Sequence, residues 1–228
     1  MTGLSIVNIH NIYLFDENQP RFGKTNPLRE FVNFLKNSQQ DGQKVRFDFS
    51  YSCDNDSLHQ SLSIKENFIL DAVPKSLIRD GEDNFNQFLH TLKNPHLKKL
   101  ITHFSDISEK VCHLNKEELK LTSIMKSLLS QSEYIFLLTP DMHLSNEVLT
   151  LIKQAIQFEV YNRHRKVYIK ASNRDIWLDI AGHIISKHRY HFSCQENPLL
   201  EFLTEDEKSL NKTLNHSLKR PNLLKQVS

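Results

Sequence analysis

Glycine is scarce in this sequence, at five of 228 residues. Glycine adopts positive φ most readily and lets a backbone approach a ligand closely. A low glycine content therefore argues against glycine-rich loops that wrap phosphate groups. Cysteine is scarce as well, and Cys53, Cys112 and Cys194 lie far apart. Their spacing matches no metal motif and favours reduced, inert thiols in a cytosolic setting.

Strong charge and long apolar runs are also absent. The formal net charge is +2, which is too small to argue for nucleic acid as a partner. No apolar run approaches the roughly 20 residues that span a bilayer, and Met1–His10 lacks the form of a signal peptide. We therefore expect a cytoplasmic protein that associates with the inner face of a membrane only through a partner protein.

The chain does contain enough apolar material for a core. Hydrophobic residues make up 39% of the sequence and 14 residues are phenylalanine, which argues against global disorder. Of the histidines, His188 and His191 lie close together, but no cysteine or carboxylate is placed to complete a metal site with them. We predict no metal site, one domain at residues 1–198, and an acidic-then-basic helix and tail at 199–228.

Alternating strand and helix patterns predict the fold class. Apolar runs of strand length occur at residues 5–15, 45–51, 134–138, 166–171 and 183–186. Helical spacing begins at Asn26-Pro27 and recurs at 62–70, 84–92, 96–104, 117–129, 146–161 and 175–181. Strands that alternate with helices imply an α/β fold, with a mainly parallel sheet flanked by helices and a helical insertion at about 71–112.

A segment from Leu114 to Ser145 carries several short motifs in one order. They are Leu114-Asn-Lys-Glu-Glu118, Lys126-Ser-Leu-Leu129, the strand Glu133–Leu138, Pro140, and Leu144-Ser145. This succession resembles the signature, the RALL segment, the Walker B strand and the D-loop of ATP-binding-cassette (ABC) ATPases. Flanking segments at 62–67, 166–173 and 181–185 resemble further parts of that domain, so the resemblance covers roughly residues 8–187. It implies a fold like that of the P-loop NTPases.

The segment Asn18-Gln-Pro-Arg-Phe-Gly-Lys-Thr25 stands where the resemblance places the phosphate-binding loop, Walker A. Gly23, Lys24 and Thr25 match the end of that motif, and the resemblance makes them the residues that bind ATP with Mg²⁺. Asn18 and Arg21 replace two earlier glycines, and their Cβ atoms hinder close backbone approach. The segment is therefore either a weak, degenerate nucleotide site or a surface turn that contains Gly-Lys-Thr.

The residues that hydrolysis requires in this family are replaced. Leu138 occupies the position of the Walker B aspartate, and Thr139 that of the carboxylate that polarises water. Asn173 replaces the switch histidine, while Lys116 and Glu117 replace the glycine pair of the signature. A general base contributes about 10²–10⁴-fold in rate, which an uncharged hydroxyl cannot supply. The resemblance therefore predicts no catalytic residue and a hydrolysis-deficient pseudo-ATPase.

Three functions stay open on this basis. The first is a degenerate ABC-type ATP-binding subunit, the non-catalytic or regulatory half of a membrane transport complex. Its partner would be a transmembrane subunit or a homologous active ATPase, in a homo- or heterodimer. The second is a nucleotide-independent scaffold. It is favoured because the family places a β-subdomain and an adenine-stacking aromatic before Walker A, the stretch before Asn18 is short, and Tyr13 is a poor substitute for that aromatic. The third is a divergent active ATPase that uses Asp141 and Asp54.

Apolar and basic residues outside these motifs are given structural roles. The resemblance places a partner-docking surface near residues 58–112, but apolar residues there are more typical of internal packing; they are Phe68, Leu77, Phe85, Phe88 and Leu89. Trp177 is expected to pack in the core. The basic run Tyr161–Lys166 is expected to be a solvated helix end, favoured by the helix dipole.

Overall fold

The computed structural model describes residues 11–16, 27–37, 48–53, 57–73, 78, 84–188 and 191–199. Within these ranges, six strands form one sheet in the order β2-β3-β4-β1-β5-β6. They are β1 Ile12–Phe15, β2 Phe49–Ser52, β3 Tyr134–Leu138, β4 Lys166–Lys170, β5 His183–His188 and β6 His191–Glu196. The first five are mutually parallel and β6 is antiparallel to β5. The predicted α/β fold with a mainly parallel sheet is confirmed.

Helices cover both faces of the sheet. The described helices are α1 Pro27–Asn37, α2 Ile64–Ala72, α3 Asn84–Thr91, α4 Pro95–Ile101, α5 Lys116–Leu129 and α6 Asn146–Arg163. Polar side chains accept hydrogen bonds at the N-termini of four of them: Ser63 for α2, Asn94 for α4, Asn115 for α5 and Ser145 for α6. Such caps satisfy backbone N–H groups that have no partner inside the helix.

The side chains that alternate along the strands belong to two hydrophobic clusters. Ile12, Leu14, Ile135 and Leu137 belong to one cluster, which is packed against α2–α6. A second cluster is aromatic. It contains the strand residues Phe15, Phe136 and Tyr168 together with Phe31 and Phe34 of α1. Because side chains along a strand point alternately to opposite faces, the two clusters lie on the two sides of the sheet.

Internal packing of the helical region is confirmed. Phe68, Phe85 and Phe88 are buried in the same cluster as the sheet residues, and Leu89 packs against it. Leu77 lies outside the described residues. Trp177 is fully buried, as predicted. Whether residues 71–112 form a distinct subdomain stays a prediction, and so does the tail at 199–228, which apart from Leu199 is outside the described residues.

Two expectations about local structure were wrong. Strand β6 was not predicted, since its sequence His191-Phe-Ser-Cys-Gln-Glu196 has few apolar side chains and its pairing partner β5 defines it. The hairpin places His188 opposite His191. A helix over 175–181 is replaced by a 3₁₀ turn at Arg174–Ile176 and a further turn, in which Trp177 is still fully buried.

The basic run after α6 is not a solvated helix end throughout. Arg165 is 2% exposed, and its guanidinium donates to Glu159 at 3.0 Å and to the carbonyl oxygens of Leu128 and Ser132 at 2.6 and 2.8 Å. The buried carboxylate of Glu159 compensates the charge, which the sequence pattern did not indicate. Arg165 therefore ties the ends of α5 and α6 to the start of the strands.

Candidate functional site

The carboxyl ends of β1, β2, β3 and β4 meet at one edge of the sheet. Ligands of open α/β sheets bind outside this edge. The predicted binding residues Gly23, Lys24 and Thr25 belong to the segment between β1 and α1, and they lie outside the described residues, as does Asp54. Their role stays a prediction, and the described part of the edge is built by the residues that follow β1, β3 and β4.

Strand β3 ends in a residue with unusual backbone geometry. Thr139 has φ of 44°, a left-handed conformation that is a genuine outlier for a β-branched residue. Its N–H donates to the carbonyl oxygen of Lys170 at 2.6 Å, which holds the end of β3 against the end of β4. Strained backbone of this kind is concentrated at functional positions. Thr139 stands where the resemblance places the water-polarising carboxylate.

A buried lysine contacts this strand end. Lys120 of α5 is 2% exposed, and its ammonium donates to the hydroxyl of Thr139 at 3.2 Å and to the carbonyl oxygen of Leu138 at 3.3 Å. Sequence reasoning missed this residue. The helical spacing does indicate its burial. Lys120, Ile124 and Leu128 are at positions i, i+4 and i+8, which lie on the buried face of α5.

Asp141 has a structural role in the turn after β3. Its two carboxylate oxygens accept from the backbone N–H groups of Ser172 and Asn173 at 2.8 and 2.6 Å. The carboxylate thereby joins the segment after β3 to the segment after β4. Aspartate side chains commonly stabilise turns by accepting hydrogen bonds from backbone N–H groups in this way.

The residues after β4 are tied to β1. The side chain of Asn173, at the switch position, accepts from Asp175 N–H at 3.1 Å. The guanidinium of Arg174 forms an ion pair with Asp16, directly after β1, at 3.0 Å. Its Nε is buried and has no hydrogen-bond partner in the part of the chain that the structure describes. This pair fixes the segment that follows β4 to the start of the predicted phosphate-binding loop.

The signature position forms the N-terminus of α5. Asn115 and Glu118 make a reciprocal capping box, with Asn115 accepting from Glu118 N–H at 3.0 Å. The helix begins at Lys116, one residue earlier than predicted, and Glu117 is exposed in its first turn. Carboxylates stabilise a helix N-terminus, but they also place negative charge where an anionic ligand would approach.

Hydroxyl groups cluster at the end of β2. The Ser123 hydroxyl bonds to those of Ser52 and Ser57 at 2.8 and 2.7 Å. The nearby Lys126 ammonium donates to the carbonyl oxygen of Ser57 at 2.7 Å, and not to a hydroxyl. The hydroxyl groups of Ser52, Ser57 and Ser123 therefore satisfy one another.

The ring of Tyr13 packs within the sheet face. It is stacked on Tyr168 with 4.6 Å between ring centroids and on His183 with 5.0 Å. Burial raises the pKa of both tyrosines above its ordinary value. With its ring between two neighbours, Tyr13 is a poor adenine-stacking group, as expected.

The described residues contain neither a metal-binding cluster nor a membrane-spanning helix. Across the described ranges, no group of three His, Cys, Asp or Glu residues is arranged to hold a metal ion. None of the described helices combines the length and the apolar composition of a membrane span.

Solved structures with the same fold are ABC proteins. The ATP-binding subunit of an ABC transporter matches with a TM-score of 0.59 and 12% identity, over 82% of this chain and 78% of that one. A dimeric ATP-binding cassette bound to ADP and phosphate matches with a TM-score of 0.55 and 12% identity, over 85% and 88%. A complex of an archaeal ribosome recycling factor with a ribosomal stalk protein matches with 0.54 and 14%, over 86% and 37%.

These likenesses show the fold, which is that of an ABC ATP-binding cassette. No protein-family model and no curated protein matches the sequence. The chemistry and the partners of this chain therefore have to be argued from its own residues.

Proposed function

We propose that this chain, with the fold of an ABC ATP-binding cassette, is a hydrolysis-deficient ATP-binding subunit and the non-catalytic or regulatory half of a larger assembly. One observation carries the proposal. At the end of β3, where hydrolysis needs a carboxylate, the Thr139 hydroxyl is held by the Lys120 ammonium. A hydroxyl held in this way cannot take a proton from water as a general base does.

Two other acids at this edge support the loss of hydrolysis. Asp141 is capped by the Ser172 and Asn173 N–H groups, and Asp16 is paired with Arg174. Both carboxylates have structural partners. The third hypothesis was an active ATPase that uses Asp141 and Asp54. Asp141 gives it little support in this geometry, and Asp54 lies outside the described residues.

The proposed partner is a transmembrane subunit or a homologous active ATPase, at the cytoplasmic face of a membrane. The resemblance of the sequence to transporter cassettes is the basis. The fold alone leaves the partner class open, because a ribosome recycling complex is among the matching structures. We further propose that residues 1–198 form one cassette-like domain and that residues 71–112 are its helical subdomain.

Weak nucleotide binding is the part to test first. The melting temperature of the purified protein is followed while ATP is titrated, in buffer with excess Mg²⁺ and in buffer with EDTA. A ligand that binds the native state must raise its stability. We expect a saturable rise in at least one buffer, absent in Lys24→Ala, together with no phosphate release by either protein.

Two outcomes would contradict the proposal. Phosphate release that disappears in Lys24→Ala would show an active enzyme. No rise of the melting temperature in either buffer at millimolar ATP would leave the nucleotide-independent scaffold as the function.

A further inference from the structure

We propose that a basic surface of this chain binds anionic lipid headgroups directly, which goes beyond the partner-mediated contact considered above. The surface lies on the end of α3, on α4 and in the segments that follow these helices. Its members are the exposed or partly exposed side chains of His90, Lys93, His96, Lys98, Lys99 and His103. Binding of this kind requires no nucleotide, so it succeeds or fails independently of the function proposed above.

The charge of the basic surface is not compensated within its own segment. Residues 84–105 contain three lysines and three histidines but no aspartate or glutamate. Across the described part of the chain, none of the six basic side chains forms an ion pair or a hydrogen bond. Uncompensated charges of one sign repel one another, and an anionic partner relieves that repulsion.

The helix dipole explains only part of this pattern. It favours cations in the last turn of a helix, where His90, Lys98 and Lys99 lie. Lys93 precedes α4 and His96 lies in its first turn, where a dipole disfavours positive charge. The segment therefore carries more basic side chains than the ends of its helices require.

The basic side chains of α4 point away from the protein core. His96 and Lys99 are three residues apart and so share a face of the helix. Leu97 and Leu100 are fully buried on the opposite side. The charged face of α4 is thus presented to the exterior.

The segment is also held in place by a buried side chain. Asn94 is 1% exposed, and its side-chain oxygen accepts from the backbone N–H groups of His96 and Leu97 at 3.0 and 3.3 Å. Its side-chain nitrogen donates to the Ala155 carbonyl oxygen at 3.1 Å and to Glu159 at 3.0 Å, both on α6. The basic surface is therefore built on a fixed part of the fold.

The surface lacks the features that proteins use to bind other proteins. Such interfaces usually have apolar or aromatic anchors at their centre. Among the described residues, the exposed large apolar side chains lie outside residues 84–105; they are Leu70, Met142, Tyr161 and Leu199. The partly buried apolar side chains of the segment pack against the core; they are Leu89, Leu92 and Ile101.

Cations without apolar anchors fit the headgroup layer of an anionic membrane. The cytoplasmic leaflet carries negative charge, and each lysine near it contributes to binding. An imidazole ring has an N–H in either protonation state, so the histidines can donate hydrogen bonds to phosphate oxygens. The observations therefore favour lipid headgroups over an acidic protein segment.

Co-sedimentation with vesicles tests the binding. The full chain, without nucleotide, is mixed with vesicles of phosphatidylcholine alone or of phosphatidylcholine with an equal amount of phosphatidylserine. We expect binding to the anionic vesicles at about 0.1 M salt and its loss at about 1 M salt, because ions screen exposed charges. Equal binding to both kinds of vesicle, no binding to either, or binding that persists at high salt would overturn the proposal.

The double variant Lys98→Gln with Lys99→Gln tests the surface itself. We expect its partitioning onto anionic vesicles to be at least about tenfold weaker, because each lysine contributes about fivefold. Lys98→Arg with Lys99→Arg keeps both charges and should bind like wild type. Unchanged binding of the glutamine variant would contradict the role of this surface.

A matched control separates the surface from net charge. Lys36→Gln with Lys187→Gln removes the same charge on the α1 side of the sheet, where Lys36 is exposed on α1 and Lys187 lies over the Phe192 ring. This control should bind like wild type. Equal losses in the two pairs of variants would show that net charge, and not the basic surface, drives binding.

Competition with polyglutamate tests the alternative ligand, an acidic protein segment. A bilayer presents many headgroups at once, so we expect polyglutamate at the same concentration of charge to leave the protein on the vesicles. Displacement of the protein would indicate that the surface binds an acidic segment, and the lipid proposal would then be wrong.

Discussion

The buried charges of Arg165 and Glu159 are paired with each other. Arg165 and Glu159 are 3% and 2% exposed at their side chains and lie 3.0 Å apart. Burial lowers the pKa of the Arg165 guanidinium to about 10, and the nearby Glu159 opposes that shift. The guanidinium therefore remains charged at neutral pH and is the more buried of the two arginines that pair with the Glu159 carboxylate.

Replacing Arg165 with methionine tests this pairing. We expect Arg165→Met to reduce the free energy of unfolding by about 3–5 kcal/mol, because the charge of Glu159 stays buried without its main partner. Arg163→Met is the matched control, since Arg163 binds the same carboxylate at 3.0 Å from a more exposed position, and its loss should cost about 1 kcal/mol or less. Urea denaturation of the two variants gives both values. Equal losses would show that burial does not decide the cost.

Prediction at the residue scale succeeded where the residue type alone decides the outcome. Trp177 is buried as expected, whereas the replacement of acids by Leu138 and Thr139 stays a prediction from the resemblance. Lys120 and Arg165 were missed. Their burial depends on oxygen atoms contributed by β3 and by the ends of α5 and α6, and a single sequence does not show these contacts.

Helix α2 begins with a capping box that responds to pH. Glu66 accepts from the Ser63 hydroxyl at 2.6 Å and from the Ser63 N–H at 2.7 Å. The hydrogen bond from the Ser63 side chain, followed by that from its backbone, lowers the pKa of this carboxyl from its ordinary value of 4.5. A lowered pKa in the folded state means that the bond contributes stability above about pH 4.5 and loses it as the pH falls through the folded-state pKa.

Glu66→Gln should therefore flatten the acid side of the stability profile. At pH 7 we expect a loss on the order of 0.3 kcal/mol, small because Glu66 is exposed and solvent screens it. The difference from wild type should vanish below the folded-state pKa. Urea denaturation between pH 3 and pH 7 measures both. A difference that grows toward low pH would contradict this account.

Elements with strong periodicity were predicted to within a residue or two. The strand at 134–138 agrees with β3, and α5 begins one residue before the prediction. Strand β6 was missed because its pattern is polar, and its identity comes from pairing with β5, where Ile185 lies opposite Cys194. Periodicity reports burial of one face and carries no information about the partner strand.

At the scale of the whole molecule, the resemblance predicts that two parts of the candidate site depart from the family to different degrees. The segment between β1 and α1 has Gly23, Lys24 and Thr25, which match the family's motif, whereas the N-terminus of α5 has Glu117 where the family has a glycine. In the ABC ATPases that this sequence resembles, the signature helix of one subunit covers the nucleotide of the opposing subunit. Two copies of this chain would therefore place two carboxylates toward two nucleotides, but pairing with an intact homologue would place only one. This asymmetry favours a heterodimer.

Self-association driven by ATP tests that asymmetry. We expect wild-type protein to stay monomeric with ATP in sedimentation velocity, in EDTA and in Mg²⁺ buffers. Glu117→Gln removes the repulsive charge and keeps the cap made by Asn115, so its dimer should form with a Kd at least about tenfold lower. Lys116→Met changes the neighbouring exposed charge and is the control that should not promote dimers. Tight ATP-dependent dimerisation of the wild type would show that Glu117 does not face the nucleotide of a second copy, and the heterodimer would then lose its main support.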